Sequence, residues 1–165
     1  TATDAAPQIE RYLINKKYTV TPHIVTGWWR DTGKLEDLLE ANRLVLDAIK
    51  PRNDGKVDSQ SVIDGKVVIE KGAAIIASTV RGPAIIGEHS VIQNSYVGPF
   101  TSVYHHSILK NCEIEHSIVL ENSLIENVKR VEDSLVGQNA TVVQSLKKPS
   151  AYRIMIGDSS RLEIP

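Results

Sequence analysis

The sequence is poor in several residue types, and each shortage excludes a class of protein. Cys112 is the only cysteine, so the chain forms no internal disulfide, which suits a reducing compartment. Lysine and arginine number 19 against 20 aspartate and glutamate residues, so charge favours neither nucleic acid nor an anionic membrane. No apolar run approaches the ~18 residues of a membrane span, and residues 1–10 lack a secretory pattern. We therefore expect a cytoplasmic protein.

Aromatic residues make up only 5% of the chain, whereas valine and isoleucine recur regularly between positions 63 and 142. Each step is five or six residues, which fits neither a helix face, with a period of about 3.6, nor a strand face, with a period of about 2. The pattern predicts a chain that turns a corner at each step and places a branched side chain inward. The predicted inward residues are Ile63, Ile69, Ile75, Val80, Ile86, Ile92, Val97, Val103, Ile108, Ile114, Val119, Ile125, Val131, Val136 and Val142.

A second period of 17 residues lies on top of the first. Three short strands per turn of that length predict a triangular solenoid, in which successive turns hydrogen-bond at a strand spacing of about 4.8 Å. Hexapeptide periodicity is a signature of β-helices, so we predict a mainly β fold, a parallel β-helix. We also expect Ile108→Asp to unfold it, because the charge would enter a dry interior.

The solenoid occupies the middle of the chain, so we predict three regions. Residues 56–146 form the coil, and residues 147–165, which break the repeat, are expected to supply capping strands. Residues 1–55 hold too few elements for a core of their own. They either cap the open end of the coil or are the last part of a larger domain.

The first region is predicted to contain two helices, a strand and a linker. A short helix with one apolar face ends near Lys16, and residues 18–25 have the composition of a strand. The leucine-rich segment 35–50 predicts a second helix, which Pro51 stops. Residues 51–55 have the composition of a linker.

Three histidines in the predicted coil are candidates for chemistry. His105 and His106 are adjacent, and His89 lies 17 residues before His106, so His89 and His106 are expected to stack on adjacent turns. Imidazole suits a general base, and acyltransferases built on such coils use one. An acetyl-CoA-dependent acyltransferase with His105 or His106 as its base is therefore one alternative. The others are that these histidines are simply exposed, and that the coil is a non-catalytic assembly module.

The run WRDTGKLEDLLEAN, which starts at Trp29, carries a family resemblance. It resembles the W-x-D-T-G motif and the following helix of sugar-phosphate nucleotidyltransferases of the glucose-1-phosphate thymidylyltransferase type. Residues 3–5 and 152–158 are similar to further segments of long members, which append a left-handed β-helix of hexapeptide repeats. The family's Gly-rich nucleotide loop and first metal-binding aspartate are absent here. The resemblance implies the C-terminal part of a longer enzyme.

The resemblance also implies roles for the residues of the motif. Asp31 would be one of two carboxylates that hold Mg²⁺ while a sugar 1-phosphate displaces pyrophosphate from a nucleoside triphosphate. Trp29 and Gly33 would lie on the substrate side, and the expected substrates are dTTP and glucose 1-phosphate. The fragment, without catalytic residues of its own, is expected to be inactive, and the coil to serve regulation or homo-oligomerisation. From the residues alone, Asp31 also fits a helix cap and Trp29 plain packing at a domain junction.

Overall fold

The computed structural model describes residues 2–21 and 34–144, which fall into two units divided between Asp31 and Thr32. The first unit contains helix α1 (Ala2–Asn15), which confirms the first predicted helix. Residues 18–21 are not a strand, so that prediction is wrong there, and residues 22–25 lie outside the described ranges. A strand needs a neighbour to bond its backbone, and the described part of this unit supplies none.

The second unit begins with helix α2 (Leu35–Asp47) and continues as a coil whose strands are shared among three parallel sheets. Sheet A contains β1 (Arg52–Asn53), β4 (Val67–Ile69), β7 (Ala84–Ile86), β10 (Thr101–Val103), β13 (Ile118–Val119) and β16 (Leu135–Val136). Sheet B contains β2 (Lys56–Val57), β5 (Ala74–Ile76), β8 (Val91–Gln93), β11 (Ile108–Lys110), β14 (Leu124–Glu126) and β17 (Thr141–Val143). Sheet C contains β3 (Val62–Asp64), β6 (Thr79–Arg81), β9 (Tyr96–Val97), β12 (Glu113–Glu115) and β15 (Val131–Glu132).

Each strand pairs in parallel with the third strand before or after it, so three strands make one turn of a solenoid of about five turns. This is the predicted mainly β architecture, and it fits a left-handed β-helix. The coil begins earlier than expected, because β1 falls within the predicted linker 51–55 and Arg52 pairs with Val68. The turn-forming Asp54 and Gly55, between β1 and β2, are therefore the first corner of the coil.

The interior is a stack of aliphatic side chains, and most of the predicted inward residues are buried in it. Val131 and Val142 are partly buried against the same stack. Ile63 pairs with the buried Val80 and so holds the inward register position, where it is 37% exposed on the terminal strand of sheet C. Ile108 is 43% exposed, so that prediction is wrong. Leu109, which is fully buried, takes the inward position of its strand. The expectation that Ile108→Asp would place a charge in the interior is therefore also wrong.

The corners of the coil are built by residues that tolerate a left-handed backbone. All five asparagines that fall between the aliphatic positions have positive φ, as their low cost in that conformation predicts. Along one corner their amides form a ladder, in which Asn94 Nδ2 donates to Asn111 Oδ1 and Asn111 Nδ2 donates to Asn127 Oδ1, both at 2.8 Å. The five residues are Asn94, Asn111, Asn122, Asn127 and Asn139.

Buried serines join one turn to the next. Ser90 Oγ donates to the carbonyl of Tyr104 at 2.7 Å and accepts the backbone N–H of Ser107 at 3.1 Å. Ser95 does the same with the carbonyl of Gln93 and the N–H of Cys112. Within the described ranges, no buried side-chain nitrogen or oxygen lacks a partner. These hydroxyl groups therefore fill inward positions without leaving an unsatisfied polar atom.

Helix α2 lies on the outer side of sheet A. Asn42 Nδ2 donates to the carbonyl of Phe100 at 2.9 Å, and Asn42 Oδ1 accepts from Ser102 Oγ at 2.6 Å. Lys66 Nζ donates to the carbonyl of Asp47 at 2.6 Å. Ser102, an outward residue of the sheet, is buried as a result. Helix α2 thus packs on the outward side of sheet A, one of the three sheets that form the coil.

Candidate functional site

The residues that the family resemblance marks as functional lie outside the described ranges. These are Trp29, Asp31 and Gly33, within residues 22–33. Their roles stay predictions. The two histidines of the acyltransferase alternative, His105 and His106, are both described.

His89, His105 and His106 come together at one corner of the coil. The rings of His89 and His106 lie 5.2 Å apart between centroids at an interplanar angle of 30°, which confirms the expected stacking. His105 and His106 meet edge to face, with centroids 5.1 Å apart and their Nδ1 atoms 2.9 Å apart. His89 and His106 both have positive φ, and Gly72 precedes them in the same corner, one turn below the His89 ring.

This arrangement places two imidazole rings in direct contact. One Nδ1 of the His105–His106 pair donates and the other accepts, so each ring is oriented by the other. Within the described ranges, no three His, Cys, Asp or Glu side chains are placed to hold a metal ion. The groove described next is lined by other residues. The described residues therefore supply a candidate base for the acyltransferase alternative.

A groove of about 590 Å³ runs along the outer side of sheet C. Its lining comes from four successive turns. In the last of them the step from Ile125 to Val131 is six residues, whereas the step from Leu109 to Ile114 is five. The additional residue, Lys129, lines the end of the groove beside Arg130. The remaining polar lining is provided by Thr79, Asn94, Ser95, Tyr96, Asn111 and Glu113.

The groove holds fixed charges and no activated nucleophile. Arg130 forms ion pairs with Glu115 and Glu132, and the hydrogen bond to Glu132 together with the charge of Glu115 raises the pKa of its guanidinium group. Cys112 also lines the groove, but its side chain is buried. Burial raises the pKa of the Cys112 thiol, which keeps it in the protonated, unreactive form.

A histidine–aspartate pair lies at the corner between sheet C and sheet A, and the sequence analysis did not predict it. His116 Nδ1 and Asp133 Oδ1 are hydrogen-bonded to each other, and the Phe100 ring meets His116 edge to face with centroids 6.3 Å apart. The signal in the sequence is the spacing, because His116 and Asp133 are 17 residues apart, one full turn. The three residues form a corner ladder beside the end of β10, where α2 is attached.

The helices in the described part of the chain are all too short or too polar to cross a membrane.

Comparison with known proteins relates this chain to curated nucleotidyltransferases. No protein-family model matches the chain. It is 44% identical over 154 residues to a glucose-1-phosphate thymidylyltransferase of Streptomyces antibioticus and 42% identical over 154 residues to that of Streptomyces griseus, covering 93% of the chain in each case. It is 38% identical over 155 residues, 92% of the chain, to the low-salt glycan biosynthesis nucleotidyltransferase Agl11 of Haloferax volcanii.

The chain spans 43% of the length of each of these relatives. Because 93% of the chain is matched, the matched span includes both the segment around Trp29 and the β-helix. The chain is therefore homologous to the C-terminal region of proteins named glucose-1-phosphate thymidylyltransferase.

Proposed function

We propose that this chain is the C-terminal part of a nucleotidyltransferase that couples a nucleoside triphosphate with a sugar 1-phosphate and releases pyrophosphate. The expected substrates are dTTP and glucose 1-phosphate. The observation that carries the proposal is the 44% identity to a glucose-1-phosphate thymidylyltransferase over 93% of the chain. A β-helix on its own would support many functions, but here the match also includes the Trp29–Gly33 motif.

The motif suits the chemistry of this reaction. In-line displacement at a phosphorus atom depends on positioning and on neutralising phosphate charge. Mg²⁺ prefers carboxylate oxygens and supplies that neutralisation, and we assign Asp31 as one carboxylate ligand, with its partner in the upstream part of the enzyme. We place Trp29 and Gly33 on the substrate side of the same loop. The fragment holds one half of this constellation, so we expect it to be inactive by itself.

Helix α1 supports the existence of an upstream catalytic body. Its side chains Ile9, Tyr12 and Ile14 are 58%, 61% and 59% exposed. An amphipathic helix obtains most of its stability from packing its apolar face. More than half of the length of the relatives lies outside the matched region, and we propose that this part covers α1. The coil would then serve regulation or homo-oligomerisation of a cytoplasmic enzyme.

The proposal is tested by measuring pyrophosphate release from the full-length enzyme in Mg²⁺, with a panel of nucleoside triphosphates and sugar 1-phosphates. We expect the dTTP and glucose 1-phosphate pair to give the highest kcat/KM. Asp31→Asn should lower activity by at least ~10–100-fold, the loss that groups supporting a metal site show. Glu36→Gln, an exposed residue at the start of α2, should leave it unchanged. No release with any pair would refute the proposal.

A further inference from the structure

Helix α2 is attached to the outward side of sheet A along one face of the helix. Leu39 and Leu46 are buried, and they lie three and four residues from Asn42, so the three side chains share a face at helical spacing. The Asn42 side chain is hydrogen-bonded to the carbonyl of Phe100 and to the hydroxyl group of Ser102. This apolar face is therefore the one that the helix turns towards the coil.

The surface beneath the helix is a row of outward residues on five successive strands of sheet A, which we call the sheet A row. Strand pairing places the five side chains in line, one turn apart. Four of them are aliphatic, and the polar one, Ser102, is buried. A buried hydroxyl group needs a partner, and Asn42 provides it. The sheet A row consists of Val68, Ile85, Ser102, Ile118 and Leu135.

Two contacts define the direction of α2 along the coil. Asn42 contacts strand β10 through Ser102. Five residues later, the carbonyl of Asp47 accepts from Lys66 Nζ, which lies directly before β4, two turns earlier in the coil. Five helical residues advance about 7.5 Å and two turns about 9.6 Å, so the helix runs along the coil towards its earlier turns. The first residues of α2 therefore lie towards the later strands of sheet A.

The candidate substrate motif is joined directly to this helix. The last residue of the motif, Gly33, immediately precedes Lys34, the N-cap of α2. Lys34 is held at the start of the helix, because its backbone N–H donates to the Asp37 carboxylate and its carbonyl accepts from the backbone N–H of Asp37. The position of α2 along the coil therefore determines where the C-terminal end of the motif is placed.

The aliphatic part of the sheet A row does not determine that position by itself. Aliphatic side chains recur along the row every ~4.8 Å, so the leucines of α2 find similar surroundings at successive turns. Hydrophobic contact is non-directional and does not select one of them. Ser102 occurs once in the row, and its hydrogen bond to Asn42 selects one position, as a single polar residue sets the register of a coiled coil.

We infer that Asn42 and Ser102 are positioning residues for nucleotidyl transfer: their hydrogen bond makes the coil a fixed support for α2 and, through α2, for the motif Trp29–Gly33. The inference rests on the proposed function and gives the coil a part in the reaction itself. A misplacement of about 1 Å caused far from the reacting atoms can cost ~100-fold in rate. A contact that touches no substrate is therefore sufficient to control kcat.

The experiment measures pyrophosphate release by the full-length enzyme, at a temperature at which circular dichroism shows every variant to be folded. We expect Asn42→Ala and Ser102→Ala each to lower kcat by at least ~10-fold. The double variant should be no slower than Asn42→Ala, because two residues that share one interaction are not additive. Ser102→Thr keeps a hydroxyl group and should restore most of the rate. Wild-type kcat in Ser102→Ala would overturn the inference.

Ser107→Ala is the matched control. Ser107 is a fully buried serine whose hydroxyl group donates to the carbonyl of Leu120 and accepts the backbone N–H of Ser123. Neither bond involves α2, so this variant should lower the melting temperature of the coil and leave kcat unchanged. A loss of kcat equal to that of Ser102→Ala would mean that general destabilisation of the coil, and not the position of α2, changes the rate.

Hydrogen exchange measures the same contact without catalysis. The backbone amides of residues 35–47 in the full-length enzyme should exchange faster in Ser102→Ala than in the wild type, because the helix loses a contact that opposes its local opening. They should keep the wild-type rate in Ser107→Ala. Unchanged exchange in Ser102→Ala would contradict the attachment of α2 on which the inference depends.

The outcome is separable from the proposed enzymatic function. A full-length enzyme that releases pyrophosphate equally fast as wild type and as Ser102→Ala would overturn the positioning role and leave the nucleotidyltransferase proposal standing. A protein that releases no pyrophosphate with any pair, and in which Ser102→Ala speeds exchange of α2, would refute the proposed reaction and its positioning and leave the attachment of α2 standing.

Discussion

Sheet A and sheet B are built from the same repeat but end up in different surroundings. Both have aliphatic residues in line on their outward sides, and both bury the neighbouring residue of each strand in one interior. Sheet A includes Ser102, which gives Asn42 a hydroxyl partner and fixes helix α2. Sheet B has Ile108 at the equivalent turn and has no attached helix among the described residues. Among the described residues, the polar Ser102 in an otherwise apolar row thus gives sheet A a hydrogen bond to helix α2 that sheet B lacks.

The largest expected effect is the difference in stability between aspartate substitutions at two adjacent residues of sheet B, Leu109 and Ile108. Leu109→Asp places a carboxylate in the fully buried position and should abolish the cooperative melt of the coil, since burying an unpaired charge is among the costliest substitutions. Ile108→Asp should retain that melt, because Ile108 is outward. Circular dichroism melts of the two variants make the comparison, and similar melts would contradict the register of sheet B.

The second prediction concerns the cover of sheet A. Asn42→Ala removes the hydrogen bonds to both Phe100 and Ser102 and should lower the free energy of unfolding by about 1–3 kcal/mol, since it leaves part-buried partners unpaired. Glu36→Ala, at an exposed position of the same helix, should change it by less than ~0.5 kcal/mol. Urea titration measures both, and equal effects would show that Asn42 does not fix the helix.

The third prediction distinguishes the backbone conformation from the amide ladder at the corner between sheet B and sheet C. Asn111 has positive φ and bonds to Asn94 and Asn127. Asn111→Ala should cost about 1–2 kcal/mol through the left-handed backbone, whereas Asn111→Gly removes the amide and keeps the conformation accessible. The glycine variant should therefore melt higher than the alanine variant. An alanine variant that melts as high as the glycine variant would contradict the cost of the left-handed backbone, and the loss in the glycine variant relative to the wild type measures the ladder.

The smallest effect is a dependence of stability on pH at the N-terminal end of sheet B. The Ser61 hydroxyl and the backbone N–H groups of Ala77 and Gln60 donate to Asp58 and hold the pKa of its carboxyl below the usual value. A lowered folded-state pKa contributes stability above the unfolded value of about 3.9, and that contribution is lost as pH falls through the folded pKa.

Asp58→Asn should accordingly flatten the acid side of the stability profile, measured as melting temperature between roughly pH 2 and 6. Asp64→Asn, at an exposed carboxylate of sheet C near the same end, serves as the control. An unchanged acid limb in Asp58→Asn would contradict the role of these hydrogen bonds.

The interior of the coil was predictable from sequence because its signal is repeated in every turn. The steps of five or six residues locate Ile92, Val97 and Ile114 correctly, since the same spacing of inward residues recurs in successive turns. Ile108 was placed wrongly because the series admitted only valine and isoleucine, while Leu109 fits the same steps. β1 was missed because a strand of two residues next to the turn-forming Asp54 and Gly55 has the composition of a linker.

The surroundings of the coil were less predictable because they depend on single contacts. The stacking of His89 and His106 follows from their spacing of one turn, and it is confirmed. The hydrogen bond between Asn42 and Ser102 joins residues 60 positions apart, and no periodicity in the sequence predicts it. The motif residues Trp29 and Asp31 were recognised through family resemblance, because a single carboxylate in a loop identifies neither a metal nor a substrate.

The most direct test of the account is the rate at which a maleimide reagent labels cysteine at positions 108 and 109 in the native chain. We predict that Ile108→Cys reacts at close to the rate of an exposed thiol, and that Leu109→Cys is protected as strongly as native Cys112. Rapid labelling at position 109 together with protection at position 108 would contradict the coil, its register and the assignment of sheet B as an outward face.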